Sequence, residues 1–142
     1  MATNGVLVDA GPLVAILSER DQHHGVCFSA AKSLRGPFHT SWPVVTEAAY
    51  LLRDQPGAVE KLLGRIRDSK LHLMPLGVGD VDGILAILAQ YADQAFDLAD
   101  ATLMYLAERE GIEHVFTIDH RHFSLFRTTN RRALTLHPST IS

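Results

Sequence analysis

Only one cysteine, Cys27, occurs in the 142 residues, so no internal disulfide can form and a reducing compartment is implied. Its neighbours, Val26-Cys-Phe-Ser-Ala30, read as helix, which makes it a structural thiol and not a nucleophile. Long apolar runs are missing too. Each is broken by Asp, Gly or Pro well short of the roughly 18 residues needed to span a bilayer, so no membrane helix is expected. The opening Met-Ala-Thr-Asn-Gly lacks a basic patch, and Val6-Leu-Val8 is too short for a signal core; the expectation is a cytoplasmic protein. No Gly-rich phosphate loop ending in Lys-Ser or Lys-Thr occurs, and Ser18 and Ser41 have no convincing His and acid partners for a serine hydrolase. Asp80-Val-Asp-Gly83 has Tyr91 where a calcium loop needs its twelfth-position Glu.

One further absence is local. Residues 120–142 contain no acid and four arginines, Arg121, Arg127, Arg131 and Arg132, whereas residues 1–119 carry all 16 acids and a net charge of -7. The tail's +4 is a candidate contact for a polyanion.

What is present is an alternation of short apolar runs and amphipathic stretches. Strands are expected over Gly5–Val8, Phe38–Trp42, Leu71–Met74, His114–Ile118 and Ala133–Leu136. Helices are expected after Asp9, over about 22–34 with Asp21 as its cap, from Pro43 to Leu52, over 58–69 with Leu62, Leu63 and Ile66 inward, from Val81 to about Tyr91 with Asp80 as its cap, and from Leu98 to the αL cap Gly111. His120 to Phe126 reads as a loop or turn. This order predicts right-handed βαβ units, hence an α/β fold with a mostly parallel sheet of about five strands covered on both faces, in one domain over residues 1–142.

The acids stand out by position. Asp9 and Asp119 end strands, while Glu47 and Asp100 sit in the first turns of helices that follow loops at the same rim. Asp100 shares a face with Leu103, Met104 and Ala107, a setting no unpaired carboxylate tolerates. Four acids in one crevice repel one another unless a cation sits among them, and oxygen donors without Cys or His favour Mg2+ or Mn2+ over Zn2+. Blander readings exist for each: Asp97 as N-cap with Asp100 favoured by the helix dipole, Asp93 as a solvated loop acid, Glu47 paired with Arg53, Asp9 as a cap. His23-His24 cannot present both rings to one site on a helix. His120 and His122 read as surface residues, or as phosphate contacts beside Asp119.

Val8-Asp9-Ala-Gly-Pro-Leu-Val-Ala15, Glu47 within Val45-Thr-Glu-Ala-Ala-Tyr-Leu-Leu52, Leu98-Ala-Asp100-Ala-Thr-Leu and Phe116-Thr-Ile-Asp119-His-Arg-His-Phe123 together resemble, in order, a PIN domain, most closely the VapC-like toxin ribonucleases of toxin–antitoxin pairs. The resemblance implies a three-layer α/β/α sandwich, an acidic magnesium site, cleavage of single-stranded RNA, and a homodimer held in check by an antitoxin. It places the family's four principal acids on Asp9, Glu47, Asp100 and Asp119; Asp97, by its position, reads as a helix cap or an auxiliary ligand. Ala10 departs from the family, which commonly has a hydroxyl residue there. A binding module using the same acids, and a nuclease of RNA processing, are the competing readings.

Overall fold

The computed structural model describes residues 4–140; the start of the Met-Ala-Thr-Asn-Gly segment and the last two residues of the basic tail lie outside that range. The chain runs β1 (Val6–Val8), α1 (Ala10–Leu17), α2 (His24–Ser33), β2 (Phe38–Thr40), α3 (Trp42–Leu51), α4 (Ala58–Arg67), β3 (His72–Leu73), α5 (Val81–Gln90), α6 (Leu98–Glu110), β4 (His114–Phe116), α7 (His120–Leu125) and β5 (Thr135–His137), with single 3₁₀ turns at Val78–Asp80 and Ala92–Gln94. The expected α/β architecture is present, and the sheet is parallel throughout rather than mostly so.

Strand order is β3-β2-β1-β4-β5. The chain leaves β1 outward through β2 to β3, then returns across the sheet to β4 on the other side of β1. Right-handed crossovers therefore put α1 to α4 on one face and α5 to α7 on the other, giving three layers. Between β1 and β4 the winding reverses, and the carboxyl ends of the strands at such a reversal open a crevice that the crossing connections leave uncovered. Asp9 follows β1 directly, and its N–H extends the pairing by donating to Phe116 O at 2.9 Å.

The central strands are continuously apolar because they are sealed on both faces: Val6, Leu7, Val8, Val115 and Phe116 are all buried. Cys27 joins this core, and burial, with the charge of Asp21, pushes its thiol up to about 11, as befits a structural residue. No described helix is long and apolar enough to cross a membrane.

Several expectations need correction. His120–Leu125 is a helix, not a loop: Asp119 caps it by accepting His122 N–H at 3.1 Å, and buried Phe123 anchors it. Asp119 is thus a helix cap two residues beyond Thr117, not the end of β4. Trp42 opens α3 instead of closing β2, because the Ser41 side chain takes the cap position. α2 begins at His24, since Asp21 bonds His23 N–H and closes a turn ahead of the helix. Leu63 faces solvent at 43% exposure while Leu62 is fully buried. Asp80 sits before α5 but does not cap it. Its carboxylate accepts from Gly77 N–H at 2.7 Å, Tyr105 OH at 2.6 Å and Arg109 Nη1 at 3.2 Å, tying the loop ahead of α5 to α6. β5 begins at Thr135, because Ala133 is used in an antiparallel bridge to Arg127.

Gly83 fixes how closely α5 approaches α6. A Cβ there would fall inside the van der Waals envelope of the Tyr105 ring, which its bond to Asp80 holds in place. Gly83→Ala should therefore cost about 1–3 kcal/mol in urea unfolding. Gly64→Ala on the outer side of α4, where a Cβ meets only Arg67 Nη2 at 3.7 Å, should instead gain about 0.5–1 kcal/mol.

Candidate active site

Two hydroxyl relays build the site. Thr117, fully buried just past β4, donates its hydroxyl to Asp9 Oδ2 at 2.8 Å and accepts Asp119 N–H at 2.9 Å, so one side chain positions the acids that follow two different strands. It also supplies the hydroxyl that Ala10 does not. The second relay joins helices. Thr102 Oγ1 donates to Ala99 O at 2.8 Å, which leaves it to accept from Ser41 Oγ, also at 2.8 Å, while Ser41 caps α3. This pins the first turns of α3 and α6 together, and with them Glu47, Asp97 and Asp100.

Asp97 is the N-cap of α6: its Oδ1 accepts Asp100 N–H at 2.7 Å, and Asp100 Oδ2 reaches back to Asp97 N–H at 3.4 Å. The cap is therefore real, but it is not the whole role, because the charge of Asp97 also bears on Glu47.

The electrostatics record the crowding. Burial, opposed by the Thr117 hydrogen bond and reinforced by Asp119 and Asp97, pushes the Asp9 carboxyl up from 3.8 to about 6. Glu47 is raised by desolvation first, then by the charges of Asp97 and Asp9. Asp100 is raised by desolvation first, then by Asp9 and Asp97. Among the described residues, no lysine or arginine forms an ion pair with any of these acids. Such a set holds its charge only with a cation among it.

The donor set fits one. Asp100, Asp119 and His122 each offer a ligand atom within 4.8 Å of the others, near the span of about 4 Å across an octahedral cation with bonds of about 2.1 Å. His122, which from the sequence reads as a surface residue or a phosphate contact, is instead the third member of this group. Its Nδ1 lies 2.8 Å from Asp119 Oδ2 and 3.6 Å from Asp100 Oδ2, and its ring stands edge-on to Phe96. The signal was its i,i+3 spacing from Asp119, which counts only once the segment is helical. Asp93 falls in the 3₁₀ turn before the site, exposed.

The four tail arginines do not form one surface. Arg121 lies exposed on α7 beside Asp119 and His122. Arg127 bonds Ser124 O and Phe126 O, and its N–H donates to Tyr91 OH. Arg131 lines a cleft of about 450 Å³ with Arg127, Tyr105 and Glu108. Arg132 pairs with Glu113 at 3.1 Å, at the amino end of β4 and away from the acids.

A family model described as PIN domain matches residues 6–127. Ribonuclease VapC26 of Mycobacterium tuberculosis (strain ATCC 25618 / H37Rv) is 26% identical over 135 residues, spanning 94% of this chain and 100% of that protein. The crystal structure of Mycobacterium tuberculosis VapC20, described as a sarcin-ricin loop cleaving toxin, superposes with a TM-score of 0.73 at 19% identity, covering 82% of this chain and 91% of the other. At that identity the likeness speaks for the fold.

A carboxyl with a raised folded-state pKa favours folding below its unfolded value and loses that contribution as pH climbs to the folded value. For Asp9 the window runs from 3.8 to about 6, corresponding to up to about 3 kcal/mol; the raised Glu47 and Asp100 extend it upward. Metal-free protein should therefore melt at a higher temperature at pH 5 than at pH 7.5, and Mg2+ or Mn2+ should narrow the difference. Asp100→Asn removes a buried like charge and should raise the metal-free melting temperature at pH 7.5 while shrinking the shift caused by metal. A pH-independent melting temperature would contradict this account.

Proposed function

The chain belongs to the PIN-domain family, and from that membership we propose that it acts as a single-domain, metal-dependent endoribonuclease, the toxin of a toxin–antitoxin pair. The observation that carries the reading is the crevice at the β1/β4 reversal, where Asp9, Glu47, Asp97, Asp100 and Asp119 gather with His122 as their one basic partner among the described residues. A binding module would need no such accumulation, since one or two acids suffice to hold a basic peptide. The relative that spans nearly the whole chain is named as a ribonuclease.

Asp9, Glu47, Asp100 and Asp119 would hold Mg2+ or Mn2+, with Asp97, bonded to Asp100, as an auxiliary ligand. His122 adds a nitrogen donor that suits manganese better than magnesium. When bound, the ion lowers the pKa of water and neutralises charge building on the attacked phosphate. The protein's own groups supply position. Thr117 fixes Asp9 and the start of α7, the Ser41–Thr102 relay holds α3, which carries Glu47, to α6, which carries Asp100, and Asp119 orients the His122 ring. Arg121, next to Asp119 and His122 in sequence, would meet the RNA backbone, and Arg127 and Arg131 would meet it from the separate cleft they line, while Arg132 is engaged with Glu113. A cytoplasmic homodimer restrained by an antitoxin completes the reading. An arginine of such a partner could satisfy the same carboxylates that hold the ion.

The assay is cleavage of a structured RNA with Mg2+, Mn2+ or EDTA. EDTA should abolish cleavage and Asp100→Asn should lower it more than about a hundredfold; undiminished cleavage by the Asn variant would overturn the assignment. His122→Ala should weaken Mn2+ activation more than Mg2+ activation. In RNA binding measured against salt, Arg121→Ala should reduce the log–log slope by about 1 and Arg132→Ala should leave it unchanged.

A further inference from the structure

A second set of metal-ligating groups lies on the strand pair β4/β5 and takes no part in the acid crevice. In the parallel register His114 stands beside Thr135 and Phe116 beside His137, so His114 and His137 sit two places apart on the same face of the sheet. Their rings meet: His114 Nδ1 is 3.0 Å from His137 Nε2, with centroids 5.2 Å apart. Two imidazoles on one zinc ion place their nitrogens roughly 3.3 Å apart, given bonds of about 2.0–2.1 Å at the tetrahedral angle. The existing separation therefore needs to open by only about 0.3 Å. We propose that His114 and His137 form a two-imidazole site for a transition-metal dication of the nickel, copper and zinc group.

The surroundings suit that ion and not magnesium. Among the described residues no carboxylate joins the pair: the nearest in sequence, Glu113, is engaged with Arg132. An all-nitrogen donor set discriminates against hard cations. Burial and the charges of His114 and His120 hold the His137 imidazole below its ordinary value, which keeps the ring neutral with a lone pair to give. His120 is the third imidazole of the neighbourhood, and its Nε2 is sealed from solvent without a hydrogen-bond partner. It does not complete a tight triad, because the only group of three donors within 4.8 Å among the described residues is the one at Asp100. The remaining coordination positions fall to water, for which His137 opens onto a cleft of about 340 Å³ shared with Ser29, Ser33 and Ser139. A bound ion would fasten the edge strand β5 to β4.

The test is Ni2+ titration by calorimetry of the full chain, free of any histidine tag, in excess Mg2+. The Asp100→Asn/His122→Gln double variant serves as the background in which the acid site cannot contribute. One equivalent should bind in both proteins. His114→Gln and His137→Gln should each weaken binding more than about tenfold and abolish a Ni2+-dependent rise in melting temperature. In the unaltered chain, the His114 and His137 ring resonances should be the first to broaden with substoichiometric Ni2+. Equal affinity in the two Gln variants, or broadening confined to His122, would overturn the site and leave the pair as a hydrogen bond between neutral rings. Neither result depends on whether the protein cleaves RNA.

Discussion

Mutual repulsion among carboxylates held away from water is the constraint on which this structure turns. A domain of this size could bury the same helices with apolar residues at positions 9 and 100, and each would then favour folding. Instead, Asp9 is 6% and Asp100 7% exposed, and both are pushed toward protonation first by burial and then by neighbouring carboxylates, Asp119 and Asp97 for Asp9, Asp9 and Asp97 for Asp100. A fold tolerates such a cluster only where the rest of it is secure. Here the underlying strands β1 and β4 are central, with two strands on one side and one on the other, and β1 is wholly apolar.

Uncharged groups make that arrangement rigid. Thr117 and the Ser41–Thr102 pair lie completely or almost completely out of solvent, where an unpaired hydroxyl would cost about 1–3 kcal/mol. Their partners are therefore obligatory, and each relay joins elements distant in sequence. The hydroxyls stand beneath the acids and fix their separation without adding charge, which suits a site whose charge balance is left to a bound ion.

Much of this was legible in the chain. Period and punctuation placed Asp9 after a buried strand and Asp100 on the apolar face of a helix capped by Gly111, whose φ of 68° is the left-handed value expected there. The fold class came from the same alternation. The features that escaped depend on one element meeting another. α7 is six residues long and held by Phe123 packing and the Asp119 cap, so its own periodicity was too brief to read. His122 could not be placed at the acids until that segment was helical. Asp80 looked like a helix cap because α5 starts directly after it, yet its partners Tyr105 and Arg109 lie more than twenty residues away. The tail's arginines formed one charge block in sequence, but the turn around Arg131, with a φ of 63°, sends Arg132 back toward Glu113.

Both outermost strands are short: β3 has two residues, and β5 has three and is followed at once by Pro138. A foreign strand adding to either edge would find two or three backbone partners before the ladder ended, too few to template growth. A molecule whose helices already carry exposed Trp42, Tyr50 and Leu51 is thus protected from sheet-to-sheet polymerisation, and any assembly it forms has to grow through helix faces, where side-chain fit and not backbone pairing selects the neighbour.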